Sequence, residues 1–197
     1  MREMIQMVVV LTILSCISGG LLASIKNGTK EQIEYQQLVF VKGPAIRAIL
    51  EGSSNDPITD RFKIKDGDIE RSFFAGAFDG KANTVTFEAL GKGYGGDIGV
   101  MVGINLDDDK IVGVGVTTHS ETPGIGARAK TDPAFSAQFK GMPMEDTFKV
   151  KTEGGQVDAL SGATITSRGV SVALTEASKI YKSLKPQIAD QLKTFSK

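Results

Sequence analysis

Ile98-Gly99-Val100-Met101-Val102-Gly103-Ile104-Asn105-Leu106, then Asp107-Asp108-Asp109, then Lys110-Ile111-Val112-Gly113-Val114-Gly115-Val116-Thr117-Thr118, is the stretch that decides the fold. Successive side chains of an extended chain point to opposite faces, so Ile98, Val100, Val102 and Ile104 share one face and Gly99, Met101 and Gly103 the other. The aspartates form a polar turn between two β-rich runs, which makes an antiparallel hairpin. A calcium loop of the EF-hand kind needs a glycine and a distal glutamate that this turn lacks, and a solvated turn is the simpler reading.

Working outward, residues 62–65, 69–78 and 84–90 read as three further strands, separated by Gly, Asp and Asn clusters. Before them, Thr29 is placed to cap a helix through Ile33, Tyr35 and Leu38, and Pro44 suits the start of another carrying Ile46, Ile49 and Leu50. After them, 133–140 reads as a short helix, 147–151 as a strand, 167–184 as a long helix with Val170, Leu174, Ala177, Ile180 and Tyr181 inward, and 186–195 as a closing helix. The expected fold class is α+β, with one N-terminal transmembrane helix followed by a twisted, mainly antiparallel sheet packed with helices. The expected division is an anchor at 1–26, a helical stalk at 27–57 and a ligand-binding domain at 58–197.

The anchor rests on residues 4–25, none of which is charged. At about 1.5 Å per residue, such a helix crosses the ~30 Å hydrocarbon layer. Thr12, Ser15 and Ser18 can return their hydroxyls to the helix backbone, and Gly19-Gly20 is tolerable where helices pack closely. A cleaved signal peptide and a lipidated Cys16 are the competing readings. Arg2 stands with Glu3, and Lys26 and Lys30 with Glu31, so charge bias does not orient the helix.

Composition excludes several chemistries. Lys plus Arg equals Asp plus Glu at 23 each, so no net field draws in nucleic acid. One Cys and one His cannot assemble a four-thiolate iron–sulfur cluster, a c-type haem attachment or a multi-ligand metal centre. His119 has no partner at nucleophile–base spacing, so no catalytic residue is assigned; it reads either as a proton-transfer group or as a loop histidine bonded to nearby backbone. Any electrons must be carried by an organic cofactor.

Three segments could hold one. Asp158-Ala159-Leu160-Ser161-Gly162-Ala163-Thr164 precedes the long helix, where Ser161 can cap, Gly162 and Ala163 allow close backbone approach, and Thr164 faces the positive end of the helix dipole. A phosphate site and a plain capped terminus both satisfy this pattern. Gly91-Lys92-Gly93-Tyr94-Gly95-Gly96-Asp97 is either a glycine-rich hairpin loop or a ligand loop, with the Tyr94 ring able to lie beside a flat heterocycle. In His119-Ser120-Glu121-Thr122-Pro123-Gly124-Ile125-Gly126, Pro123 holds Thr122 extended and the glycines admit close backbone approach.

The D-x-x-S-G-A-T segment resembles the flavinylation signature of the FMN-binding subunits of two related membrane machines, the Rnf electron-transport complex and the sodium-pumping NADH:quinone oxidoreductase. Thr166 and Ser167 extend the similarity, as do both glycine loops, with Ile125 standing where the family often has Leu. The resemblance implies FMN joined to Thr164 through a phosphoester by a separate flavin transferase that draws on FAD. It further implies Asp158, Ser161, Gly162, Ala163 and Thr166 as the surrounding signature and flavin contacts from Tyr94, Gly95, Glu121, Thr122 and Gly124, while composition leads to the expectation of no metal site. The expected role is electron relay among integral membrane, iron–sulfur and flavin subunits of an Rnf-type ion translocase, with the folded domain outside the cytoplasm and little turnover alone. The alternatives are the corresponding FMN-binding C component of the quinone reductase, a reversible membrane-anchored FMN-binding module, and a flavin domain serving a stand-alone reductase.

Overall fold

The computed structural model describes all residues except Asp79, Asp146, Ser196 and Lys197. The chain divides into two units, Met1–Leu38 and Val39–Lys197.

The first unit is dominated by one helix, α1 (Arg2–Gln36), which has no buried residue. It is long and apolar enough to cross a membrane. The Thr12 hydroxyl donates to the Val8 carbonyl at 2.8 Å, as a hydroxyl in an apolar helix must. Thr29, expected to cap a new helix, donates in the same way to Ile25 at 2.8 Å. No residue there breaks the hydrogen-bond ladder, and α1 runs on through the expected start.

A π-helical turn follows at Gln37–Lys42, and the second unit then carries α2 (Gly43–Ile49), with Pro44 in the first turn where its missing N–H costs nothing. The sheet contains β1 (Arg61–Asp66), β2 (Ile69–Phe78), β3 (Lys81–Lys92), β4 (Asp97–Asn105) and β5 (Lys110–Val116). Their spatial order is their chain order, and every neighbouring pair is antiparallel. The fold class is α+β, as the alternation predicts.

One face of the sheet carries Phe73, Val85, Phe87, Val100 and Val102 against α5 (Thr164–Leu192), whose Val170, Ala173, Leu174, Ala177, Ile180 and Tyr181 are buried. Phe73 stacks on Phe62 at 5.6 Å and tilts against Phe87 at 5.1 Å. The other face is cut low by glycine: a Cβ on Gly103 would lie 2.3 Å from Ile49 of α2, and one on Gly115 would lie 3.1 Å from Ala45. Helix α2 settles into that trough. This is why β4 is buried on both faces, with Gly99, Met101 and Gly103 as deep as the valines.

Three further expectations fail. The helices expected at 167–184 and 186–195 are one helix that passes through Pro186. Proline removes one backbone donor, but Leu184, Ile188 and Leu192 remain buried on either side and hold the axis together. The strand expected at 147–151 is an extended segment that pairs, among the described residues, only through the Val150–Val157 bridge. Its alternation is genuine, since Phe148 and Val150 are buried, yet it packs against α5, where Thr175 Oγ1 accepts the Phe148 N–H at 2.9 Å. Before that segment, α3 (Arg128–Thr131) and α4 (Pro133–Ala137) replace the single short helix expected at 133–140, the Asp132 side chain capping α4.

Candidate functional site

At one end of the sheet three segments converge: the β3–β4 turn, the loop after β5 and the first turn of α5. The approach is close enough to require glycine. A Cβ on Gly91 would lie 1.9 Å from the Gly169 carbonyl, and one on Gly95 would lie 2.1 Å from the Ser120 carbonyl. No side chain fits in either place.

Glu121 sits at the junction, 6 % exposed. Its Oε1 accepts the Gly95 N–H at 2.8 Å, and its Oε2 accepts the Thr166 hydroxyl. Gly93 and Gly126 press against the same carboxylate, where added Cβ atoms would fall 2.5 and 2.6 Å from its oxygens. A carboxylate this deep must have its lone pairs satisfied, and here the donors come from two segments that the sequence separates by about 70 residues. The Glu121 N–H in turn donates to His119 Nδ1 at 3.2 Å. His119 is therefore the loop histidine bonded to backbone.

The start of α5 differs from the expectation in one respect. Ser161 does not cap the helix; the N-cap position is Ala163, which supplies no capping side chain. Residues 160–163 are spent on a turn, the Ala163 N–H donating to the Leu160 carbonyl at 2.9 Å with Gly162 at φ +78°. That turn delays the helix by two residues and leaves the N–H groups of its first turn without a capping side chain among the described residues. An uncapped start of a 29-residue helix beside a left-handed glycine facing open space is suited to a phosphate.

The hydroxyls around it are sorted by the helix. Residues 164 and 166 lie about 200° apart around the axis, so Thr164 faces solvent while Thr166 is buried against Glu121. Ser167 Oγ accepts the Leu160 N–H at 2.9 Å and donates to the Ala163 carbonyl at 3.0 Å. Ser161 and Thr164 keep exposed side chains.

The remaining expected residues are more dispersed. Asp158 is exposed and paired with Lys151 at 2.7 Å, while its backbone is held by Gln138. Tyr94 is 75 % exposed. The Thr122 carbonyl accepts the Ile125 and Ala127 N–H groups, and Gly124, at φ +73°, faces open space. Arg168 is engaged by Glu153, its Nε donating at 2.6 Å. The structure thus joins Gly95, Glu121 and Thr166 by direct bonds and groups 161–164 in one turn.

Two polar clusters escaped the sequence reading. Glu88 of β3 accepts Lys42 at 2.6 Å and the Thr117 hydroxyl at 2.5 Å; a charge inside an apolar strand was its only signal. Far along α5, Asp109 accepts Lys185 Nζ at 2.6 Å and the Tyr181 hydroxyl at 2.5 Å. Partial burial raises the Asp109 carboxyl, but the bonds from Lys185 and Tyr181 outweigh it and hold the group below its ordinary value. Burial, reinforced by Asp109, drives the Tyr181 phenol well above its own.

The family model described as an FMN-binding domain matches residues 93–179, from the Gly93 turn into α5. The chain is 34 % identical over 178 residues to the G component of the ion-translocating oxidoreductase complex of Methanosarcina acetivorans, covering 89 % of this chain and 93 % of that protein. It is 31 % identical to the G component of the proton-translocating ferredoxin:NAD(+) oxidoreductase complex of Clostridium ljungdahlii, covering 85 % of each. Among solved structures, the C component of the Na(+)-translocating NADH-quinone reductase from Parabacteroides distasonis shares the fold, with a TM-score of 0.55 at 22 % identity over 82 % of this chain and 95 % of that one. NqrC of Shewanella oneidensis aligns with a TM-score of 0.51 at 29 % identity, covering 71 % and 72 %. The chain belongs to the family of G components of Rnf-type ion-translocating oxidoreductase complexes, and its sheet and long helix form an FMN-binding domain.

Proposed function

We propose that this protein is a membrane-anchored flavoprotein that carries FMN esterified to Thr164 and relays electrons within an Rnf-type complex that moves Na+ or H+. The observation that carries the reading is the state of the hydroxyls at the start of α5. Thr164 is exposed at an uncapped helix N-terminus, whereas Thr166 and Ser167 are buried and engaged. Attachment is made by a flavin transferase acting on FAD: a bond forms between Thr164 Oγ and the flavin-side phosphorus, the pyrophosphate bond breaks, AMP leaves, and the hydroxyl proton passes to the transferase or solvent.

The flavin, when bound, supplies reversible one- and two-electron chemistry. The chain supplies the rest. Helix α5 offers its dipole and first-turn N–H groups to the phosphate, Gly162 lets the backbone come close, and Tyr94, Gly95, Thr122 and Gly124 stand on the adjacent loops as flavin contacts. Asp158, Ser161 and Ala163 complete the signature that the transferase reads. Residues 1–26 serve as anchor in the cytoplasmic membrane, 27–57 as a stalk whose last helix, α2, packs on the sheet, and 58–197 as flavin domain outside the cytoplasm. A covalent tether there retains a cofactor that would otherwise diffuse away. The partners are the integral membrane, iron–sulfur and flavin subunits of the complex, and the protein alone turns over little.

The test is direct. Protein made with its transferase is denatured, run on a gel and viewed for flavin fluorescence, and the tryptic peptide ending at Arg168 is weighed. The expected result is an FMN-sized increase on Thr164. An unmodified peptide, from a transferase proven on another substrate, replaces this reading with a module that binds FMN reversibly at the same helix start.

A further inference from the structure

We infer that Glu121 is a positioning residue for flavin attachment, acting through Thr166 rather than by touching the flavin. The inference rests on the covalent reading above and adds to it a division of labour between two threonines. Both carboxylate oxygens of Glu121 are engaged inside the protein, one by the Gly95 N–H and the other by the Thr166 hydroxyl. The group is 6 % exposed, and Gly93 and Gly126 close against it, so it presents little surface to a ligand.

Its mechanical effect follows from the helix. Thr166 fixes the rotation of the first turn of α5 about its axis, and Thr164, two residues earlier, is held on the opposite side, toward solvent. The same carboxylate fixes the β3–β4 turn that carries Tyr94. One side chain therefore sets both the direction of the acceptor hydroxyl and its spacing from the neighbouring loop. Thr166 is also withheld as an acceptor, because its hydroxyl is already donated to Glu121.

The experiment measures the rate of covalent flavin incorporation into the full chain in detergent, with purified transferase and FAD, read by the mass of the 164-containing peptide. Glu121→Gln, Thr166→Val, their combination and Thr166→Ser are compared with the unaltered protein, and thermal unfolding is followed for each. Glu121→Gln and Thr166→Val slow incorporation on the order of ten- to a hundredfold, because an acceptor misplaced by about 1 Å loses rate on that scale. The double variant is no slower than the worse single one, since both remove the same contact. Thr166→Ser, which keeps the hydroxyl, restores the rate to within about twofold of the unaltered protein. Tyr181→Phe, which loosens α5 far from the site, lowers stability without changing the rate and separates positioning from general stability.

Thr166→Val at the unaltered rate, additive effects in the double variant, or failure of Thr166→Ser to restore the rate each overturns the inference. If Thr166→Val does not fold, a slow Glu121→Gln set against a fast Thr166→Ser decides it. Unaltered protein that takes no covalent flavin from a proven transferase overturns the covalent reading and this inference together, and is seen before any variant is compared.

Discussion

Two carboxylates grip α5, one at each half, and they do it by different means. Glu121 holds the first turn from inside the protein, with a backbone N–H and a hydroxyl as donors and no cation bonded to it among the described residues. Asp109 holds the second half from the β4–β5 turn, half-exposed, with a lysine and a tyrosine. A buried carboxylate satisfied by neutral donors costs desolvation free energy, which makes it a poor stabiliser and a precise spacer. A partly exposed ion pair costs little and specifies little. The helix is held by a half-exposed ion pair in its second half and by a buried neutral-donor contact at its first turn.

The largest break in that comparison comes from Thr164→Ala. It removes all covalent flavin, while the exposed hydroxyl costs less than about 0.5 kcal/mol of stability; denaturing-gel fluorescence and thermal unfolding measure the two quantities. Loss of flavin with a large loss of stability would return Thr164 to a structural role.

Gly95→Ala comes next. Its new Cβ would meet the Ser120 carbonyl at 2.1 Å, so the two loops must part. The expected cost is about 1–3 kcal/mol, with slowed flavin incorporation. Unchanged incorporation would mean that the contact between these loops has no part in the site.

Tyr181→Phe probes the other half. It removes one hydrogen bond to a half-exposed carboxylate, expected to cost about 1 kcal/mol in chemical unfolding and to leave flavin incorporation untouched.

The smallest effect is in pH. Asp109 titrates below its ordinary value when folded, so its contribution is complete above about pH 4 and is lost as pH falls through the folded value. Tyr181 is displaced upward, so its contribution is complete below about pH 10 and fades as pH rises beyond it. Asp109→Asn flattens the acid limb, and Tyr181→Phe flattens the alkaline one. Unfolding midpoints at about pH 3, 7 and 10.5, which bracket both ordinary values, measure the two limbs.

The sheet was legible because alternation is a local property: residues 98–106 and 110–118 carry their own period, and the structure adjusts their ends by two residues at most. What depends on a distant neighbour was not. Phe148 and Val150 alternate like a strand, yet their burial is supplied by α5. Pro186 reads as a stop, yet burial of Leu184 and Ile188 carries the helix past it. In the candidate site, the 158–164 segment was readable as a motif, but Ser161 was given a cap that the Gly162 turn displaces. Glu121 was readable as a loop residue, whereas its bond to Thr166 spans 45 positions that no spacing rule connects.

The glycine trough beneath α2 sets a timetable for biosynthesis. Helix α2 leaves the ribosome before any strand of the sheet, and its seat is complete only when Gly115 has been added, about 65 residues after Ile49, which is several seconds at ~5–20 residues per second. During that interval Ala45 and Ile49 lack the full set of glycines that seats them. Once the trough forms, the face opposite is still bare and waits for α5, which arrives last among the packing elements and brings Thr164 with it. The first turn of α5 therefore takes up its place only as the helix that carries it closes the core.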